Sequence, residues 1–598
     1  MAVDNIEHGK RFDAMQHSRR AFSGVVCALS LALAGCATND PLRDARLAWD
    51  GSMVFARPAQ CDTSYAATDQ LIWKELQNPN TTVDSRAKLN KSVDKIISPQ
   101  LSSPDVQVSR CWNTSYEDHQ GLRPAKTNDA EPDVPLPGYD LLVAEFDDQG
   151  ERADVSRGRV AFERSEVALI ESRLKGLLAE ETSGNRPGGL NIVVFTHGWH
   201  GSASATDDYS IWFKAILEQI TDLEATSRRS VCASSRQSLQ GTSNPTEKTQ
   251  AQSRLSSYAC PLANQGDAAS FASRRTVGIE ITWRGDSETI PLLTWANFWD
   301  RKSAAQTVAK GAVHDLFSRL HVFYIEHSCH GAGATRTPGG EPCDAVHLLT
   351  VGHSFGALID YHILNDDLSS GILGDHKERA YGFGDLTVLL NPAFEGEREI
   401  TLSEAGLTRG PYPTEIVGLD GVQNRDLPTW PSGAQMPMLV TLQSKGDWAT
   451  HYAFPSARFV TGIFENTPGE GEYGRSLQSS GWIGSYQTHQ LTQGSAGAKD
   501  SCDYSHPGPM WFCPFDLTHE ETQPHPLILT WQGAADRPAY LPLWTIAVDT
   551  SIMSNHDDIS NPAVIRFVAQ LFRAAYEQSE LIHEVAAHKT APKHDAQP

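Results

Sequence analysis

The chain lacks a cationic surplus. Its 598 residues carry 50 Lys and Arg against 73 Asp and Glu, a formal net charge of −23 with His neutral. Phosphate attraction needs Lys and Arg in excess on at least one face, and no long basic run occurs in the body, so nucleic acid is excluded as a nonspecific partner. Long apolar runs are missing too: Gly24 to Leu33 is too short to make a persuasive transmembrane helix. Cysteine is scarce, 10 in all, and no CxxC pair or His-x-x-x-His spacing accompanies it, which argues against a zinc site. No internal repeat occurs, which sets aside solenoid and propeller architectures.

What is there is the composition of a globular protein, 40% hydrophobic and 21% charged, with 14 Trp and 21 Phe. The length allows one enlarged domain or roughly two to four ordinary ones.

Residues 1–36 combine Ser18-Arg19-Arg20-Ala21-Phe22, the apolar run Gly24 to Leu33 and the small residues Ala34 and Gly35, the pattern of an export signal. Leu33-Ala34-Gly35-Cys36 resembles the lipobox of bacterial lipoproteins, in which the Cys becomes the lipidated first residue of the mature chain. The Arg pair also resembles a twin-arginine signal, and the export route stays open. The resemblance implies a globule tethered to a membrane through Cys36, facing the periplasm or the exterior.

Setting aside Cys27 and Cys36 leaves eight cysteines, an even number that favours disulfides in an exported chain. Their closeness along the sequence predicts Cys61–Cys111, Cys232–Cys260, Cys329–Cys343 and Cys502–Cys513, out of about 105 possible pairings.

Short apolar strands alternate with helical stretches, the pattern of a mostly parallel α/β sheet covered by helices. The strands are Leu190 to Thr196, Val277 to Trp283, Val346 to Val351, Leu386 to Leu390, Met438 to Leu442 and Trp544 to Val548, with an edge hairpin at Tyr139 to Phe146. Helices fall at Tyr209 to Ile220, Ala304 to Ile325 and Phe355 to Leu364. The predicted organisation is a signal at 1–36, a separate N-terminal segment at 37–137 and a catalytic domain at 138–576 with insertions at 224–272 and 464–538. A polar tail at 577–598 completes it, disordered from about residue 584. The Gly-, Pro- and Trp-containing stretch 464–538 reads as a cap or substrate loop.

Val346 to Val351 runs directly into Gly352-His353-Ser354-Phe355-Gly356, and a helix-compatible segment follows. A serine in a sharp strand-to-helix turn needs glycine at both flanks, because a Cβ there would crowd the strand or the helix. The helix also aims its first amides at the serine. This resembles the nucleophile elbow of α/β-hydrolases, and the resemblance covers about residues 139–576. Upstream, Leu190 to Thr196 ends in His197-Gly198-Trp199-His200-Gly201, similar to the His-Gly turn after the third strand of that superfamily. Carried over, the oxyanion donors are the N–H groups of Trp199 and Phe355, with Gly198 allowing close approach. A metal pair of His197 and His200 fits poorly with a Gly-rich turn.

The base should be a His beyond the last strand. His556 sits after Trp544 to Val548 and before the helix opened by Asn561-Pro562, whose Val564, Phe567, Val568 and Leu571 share a face. Asp447, after Met438 to Leu442, is the expected acid, and Glu395, after Asn391-Pro392, is its rival. Asp557 and Asp558 adjoin His556, but sequence neighbours rarely aim at the ring nitrogen. The chain order Ser354, Asp447, His556 is the one found in α/β-hydrolases. The resemblance implies a serine hydrolase of the esterase or lipase kind working through an acyl-enzyme, with no cofactor and no metal. Membrane tether and Trp-rich insertion favour lipid esters as substrate; thioesters and amides share the machinery, and a noncatalytic binding lipoprotein on the same scaffold is the alternative class.

Overall fold

The computed structural model describes residues 41–45, 59–78, 80–119, 138–154, 162–182, 188–241, 243, 248, 252, 274–285, 294–328, 344–374, 380–411, 435–462, 470–494, 510–512, 527–534 and 536–590. Two helices, α1 (Ala59–Leu76) and α2 (Val83–Leu101), lead to β1 (Tyr116–His119) and β2 (Tyr139–Glu145). Then α3 (Glu166–Thr182), β3 (Leu190–Thr196), α4 (Asp208–Gly241), β4 (Arg275–Thr282), α5 (Thr294–Val308), α6 (Ala312–Ser328), β5 (Val346–His353) and α7 (Phe355–Leu373) follow. The second half runs β6 (Leu386–Leu390), α8 (Ile400–Arg409), β7 (Leu439–Ser444), α9 (Phe454–Gly462), α10 (Glu470–Leu477), β8 (His489–Gln493), β9 (Met510–Phe512), β10 (Leu527–Trp531), β11 (Leu543–Val548) and α11 (Pro562–Thr590).

Among the described residues eleven strands form one sheet, ordered β1-β2-β4-β3-β5-β6-β7-β11-β8-β10-β9. From β2 through β8 every neighbouring pair in that order is parallel; β1 on one side and β10 and β9 on the other are antiparallel. The class is therefore α/β with a mostly parallel sheet, as the alternation of strands and helices predicts.

Both faces of the sheet are apolar because both are covered. In β3, Ile192 and Val194 enter one core with α3, α6 and α7, while Val193 and Phe195 enter the other with α1, α4 and α11. Strands buried on two faces read as continuous apolar runs, which is why these were legible. The strand order reverses at β3, whose neighbours are β4 and β5, and a crevice opens at the carboxyl ends of the strands at such a switch.

Several boundaries differ from expectation. Tyr139 to Phe146 is no edge hairpin: β2 lies inside the sheet, between β1 and β4. The segment 37–137 is not separate, since β1 completes the sheet edge and Cys61, Tyr65, Ile72 and Trp112 belong to the core beneath α4 and α11. The stretch Ala304 to Ile325 breaks into α5 and α6 where the Ala312 N–H donates to Gly150 O at 2.7 Å instead of up the helix. The described part of 464–538 adds β8, β9 and β10 to the sheet. The first part of 224–272 continues α4 to Gly241. The predicted tail from 577 is helical through Thr590, its Gln578 accepting from Met436 N at 2.8 Å.

Of the predicted disulfides, Cys61–Cys111 is present with Cα atoms 5.1 Å apart. Cys232 is disulfide-bonded as well, and Cys260 lies outside the described residues. The pairs Cys329–Cys343 and Cys502–Cys513, and Cys36 with its signal, also lie outside them.

Candidate active site

β5 delivers its last residue to a turn so sharp that Ser354 takes φ 55 and ψ −116 before α7 begins at Phe355. Side-chain sterics keep most L residues out of this region, and holding one there costs on the order of 1–3 kcal/mol. Neighbouring backbone fixes it: Ser354 N donates to Leu390 O at 3.0 Å, and Ser354 O accepts from Ala393 N at 3.2 Å. The flanking glycines are required by contact. A Cβ on Gly352 would meet the backbone of Ala357 at 2.7 Å, and one on Gly356 would collide with the carbonyls of Thr196 and His197.

β11 and the loop after it bring His556 over this serine. Its Nε2 lies 2.9 Å from Ser354 Oγ, and its Nδ1 lies 2.9 Å from Asp447 Oδ2 at the end of β7. A carboxylate only accepts, so Nδ1 carries the ring proton and Nε2 is left to accept from the serine hydroxyl. Burial lowers the affinity of His556 for a second proton, but the charge and hydrogen bond of Asp447 outweigh it and raise its pKa above the ordinary value. Burial pushes Asp447 up, and His556 with Thr450 more than reverses this, holding the carboxyl down to about 2.

No family model matches the chain, and no curated protein or solved structure does either. The chemistry must be read from the site itself.

Gly198 packs directly on the elbow: a Cβ there would sit 2.9 Å from both Ser354 Cβ and His353 Nδ1. The Trp199 N–H, next along, and the Phe355 N–H at the start of α7 donate to no protein acceptor among the described residues. The Trp199 ring is partly buried, 5.9 Å from Phe298 and 6.4 Å from Phe355 between centroids. His197 is no half of a metal pair, because both its nitrogens are engaged: Nδ1 donates to Gly198 O at 2.9 Å and Nε2 accepts from Trp283 N at 3.1 Å. Burial lowers its pKa to about 4, so it stays neutral.

The rival acid lies elsewhere. Glu395 pairs with Lys302, with Arg398 at 3.0 Å and with Arg458 at 3.2 Å. Asp557 is exposed beside His556, and Asp558 pairs with Arg86 of α2. One grouping of potential metal ligands occurs among the described residues, His353 with His556 and Asp557. His556 already uses both nitrogens on Ser354 and Asp447, and His353 Nε2 donates to His556 O at 3.0 Å, so a metal would have to displace the line it adjoins.

Several supporting residues were not singled out by the sequence. Asn391, at φ 43 after β6, donates to His556 O at 2.8 Å and accepts from Ser444 N at 2.8 Å, tying the loop that carries His556 to the end of β7. Gln443 donates to Asp447 Oδ2 at 3.0 Å, and Thr450 donates to the same oxygen at 2.5 Å. Trp482, inside the 464–538 stretch, in turn donates to Thr450 Oγ1 at 2.9 Å. Asp360, beneath the elbow, accepts from Thr196 Oγ1 at 2.6 Å and is pushed up to about 8 by burial. Only Asn391, in an Asn-Pro pair after a strand, could have been flagged from its local sequence.

Proposed function

We propose that the protein is an exported, lipid-anchored serine hydrolase of the α/β-hydrolase kind that cleaves carboxylic esters. Ser354 would be its nucleophile, His556 its base and Asp447 its acid. The observation that carries this reading is the unbroken line from Ser354 Oγ through His556 to Asp447, both contacts 2.9 Å, starting from a serine in a strained strand-to-helix turn. Its support is the position of all three residues at carboxyl ends of parallel strands, in the order Ser, Asp, His.

In the first half-reaction His556 Nε2 takes the Ser354 proton as Oγ bonds to the substrate carbonyl carbon. The carbonyl oxygen becomes an oxyanion, for which the N–H groups of Trp199 and Phe355 are the donors. Collapse breaks the bond to the leaving oxygen, which departs with the proton from His556, and an acyl-serine remains. Water then repeats the sequence: His556 takes its proton, the hydroxide adds to the acyl carbon, and Ser354 leaves with that proton restored. Asp447 stays ionised throughout and stabilises the transient imidazolium.

Fluorophosphonate labelling followed by peptide mapping tests the reading. An adduct on Ser354 that is lost in Ser354→Ala is expected, together with turnover of p-nitrophenyl esters. Folded protein that takes no label would instead be a binding protein on this scaffold.

A further inference from the structure

A cavity of about 470 Å³ is lined by residues that adjoin the site in sequence, without Ser354, Asp447 or His556 themselves reaching its wall. Trp199 and His200, which follow Gly198, and Asp557, which follows His556, line it. Its opposite wall is built by the N-terminal helices, with Leu76 from α1 and Leu89 from α2. That size suits a small-molecule group rather than a macromolecule.

The charge around it is one-sided. Glu75, Asp207, Asp208 and Asp557 line the cavity with a single cation, Arg86, which already pairs with Asp558. The carboxyl of Asp208 is raised by burial and by the charge of Asp207, a sign of negative potential there. Aromatic rings complete the lining: Trp199, Tyr209 and Trp212. A long acyl chain placed here would desolvate carboxylates without pairing them, and an anionic group would be repelled. A cation gains from both the carboxylates and the negative faces of the rings. The net charge of −23 also draws cations toward the molecule.

We propose that this cavity is a subsite for an ammonium-bearing portion of an ester substrate, and that the α1–α2 pair is the wall that sets this specificity. The proposal rests on the Ser354 reading and deepens it: the substrate class becomes cationic esters.

Protection of Ser354 against an uncharged fluorophosphonate tests it on the full mature chain. Choline, its neutral isostere 3,3-dimethylbutanol and an anion of similar size, 3,3-dimethylbutyrate, are the probes. Choline should halve the labelling rate at a concentration at least ~10-fold below that of the neutral isostere, with the anion weaker still. Leu89→Lys, which puts a cation on the α2 wall, should erase the difference, and so should the gentler double variant Glu75→Gln with Asp208→Asn. Equal protection by choline and its isostere, stronger protection by the anion, or no protection by any probe overturns the subsite while leaving Ser354 a nucleophile. If Ser354 takes no label, the hydrolase reading fails instead. Calorimetric binding of tetramethylammonium, present in the parent and lost in the double variant, then supports the cavity alone, and its absence overturns that as well.

Discussion

His556 works between two demands. In the proposed reaction it must be neutral to accept the Ser354 proton, yet Asp447, 2.9 Å from Nδ1, makes it easier to protonate. Activity should therefore rise with pH through a midpoint above the ordinary imidazole value of about 6.5. Asp447→Asn removes the raising charge and leaves the lowering effect of burial, so the midpoint should move down while turnover falls roughly 10³–10⁴-fold. A kcat/KM profile against pH reads both effects, and an unmoved midpoint with near-normal turnover would return the acid role to Glu395. Glu395→Gln is the matching control. It should leave the midpoint in place and instead destabilise the fold by roughly 3–5 kcal/mol in urea titration, because buried Lys302 loses its partner. Ser354, Asp447 and His556 were legible in the sequence because each lies at or shortly beyond the carboxyl end of an apolar strand. Gln443 and Thr450 were not, since an amide or hydroxyl acquires its role only from neighbours that folding supplies.

Among the elements, α2 has a reach that its sequence does not advertise. Arg86 pairs with Asp558, whose other oxygen accepts from Ser554 N at 2.7 Å, so a helix far upstream pins both ends of the loop that carries His556. Arg86→Met should destabilise the fold by roughly 3–5 kcal/mol by leaving Asp558 buried and unpaired. It should also lower kcat, since the loop that carries His556 loses its anchor. Adding Asp558→Asn, which needs no cation, should recover part of both losses; no recovery would mean that Arg86 acts by packing alone. The strands buried on two faces declare themselves by apolar runs. By contrast β8, His-Gln-Leu-Thr-Gln, has one apolar residue among polar ones and reads as loop. The end of α11 hides for a different reason: Glu580 is polar yet pairs with Arg274 and with His347 at 3.2 Å. Composition sees the charge and misses the partner.

At the scale of the molecule, the entry of the chain into the fold matters. Leu42 N donates to Glu145 at 2.9 Å and Arg43 Nε donates to Ala203 O at 3.1 Å, so residues 41–45 lie at the carboxyl edge of the sheet, the edge that carries Ser354. Cys36 precedes Pro41 by five residues, a reach of at most roughly 17 Å when extended. A lipid on Cys36 would thus hold the site edge, not the opposite one, close to a membrane. No helix among the described residues is long and apolar enough to cross a membrane, and a net charge of −23 is repelled by anionic lipid. If the proposed anchor holds the protein, Cys36→Ser should move it from the membrane fraction to the soluble one and abolish incorporation of labelled fatty acid. Turnover of a soluble ester by the released protein should be unchanged, because residues 41–45 and the line from Ser354 to Asp447 keep their contacts without the lipid. A Cys36→Ser protein that still sediments with membranes would sink the anchor and point to attachment through the folded domain.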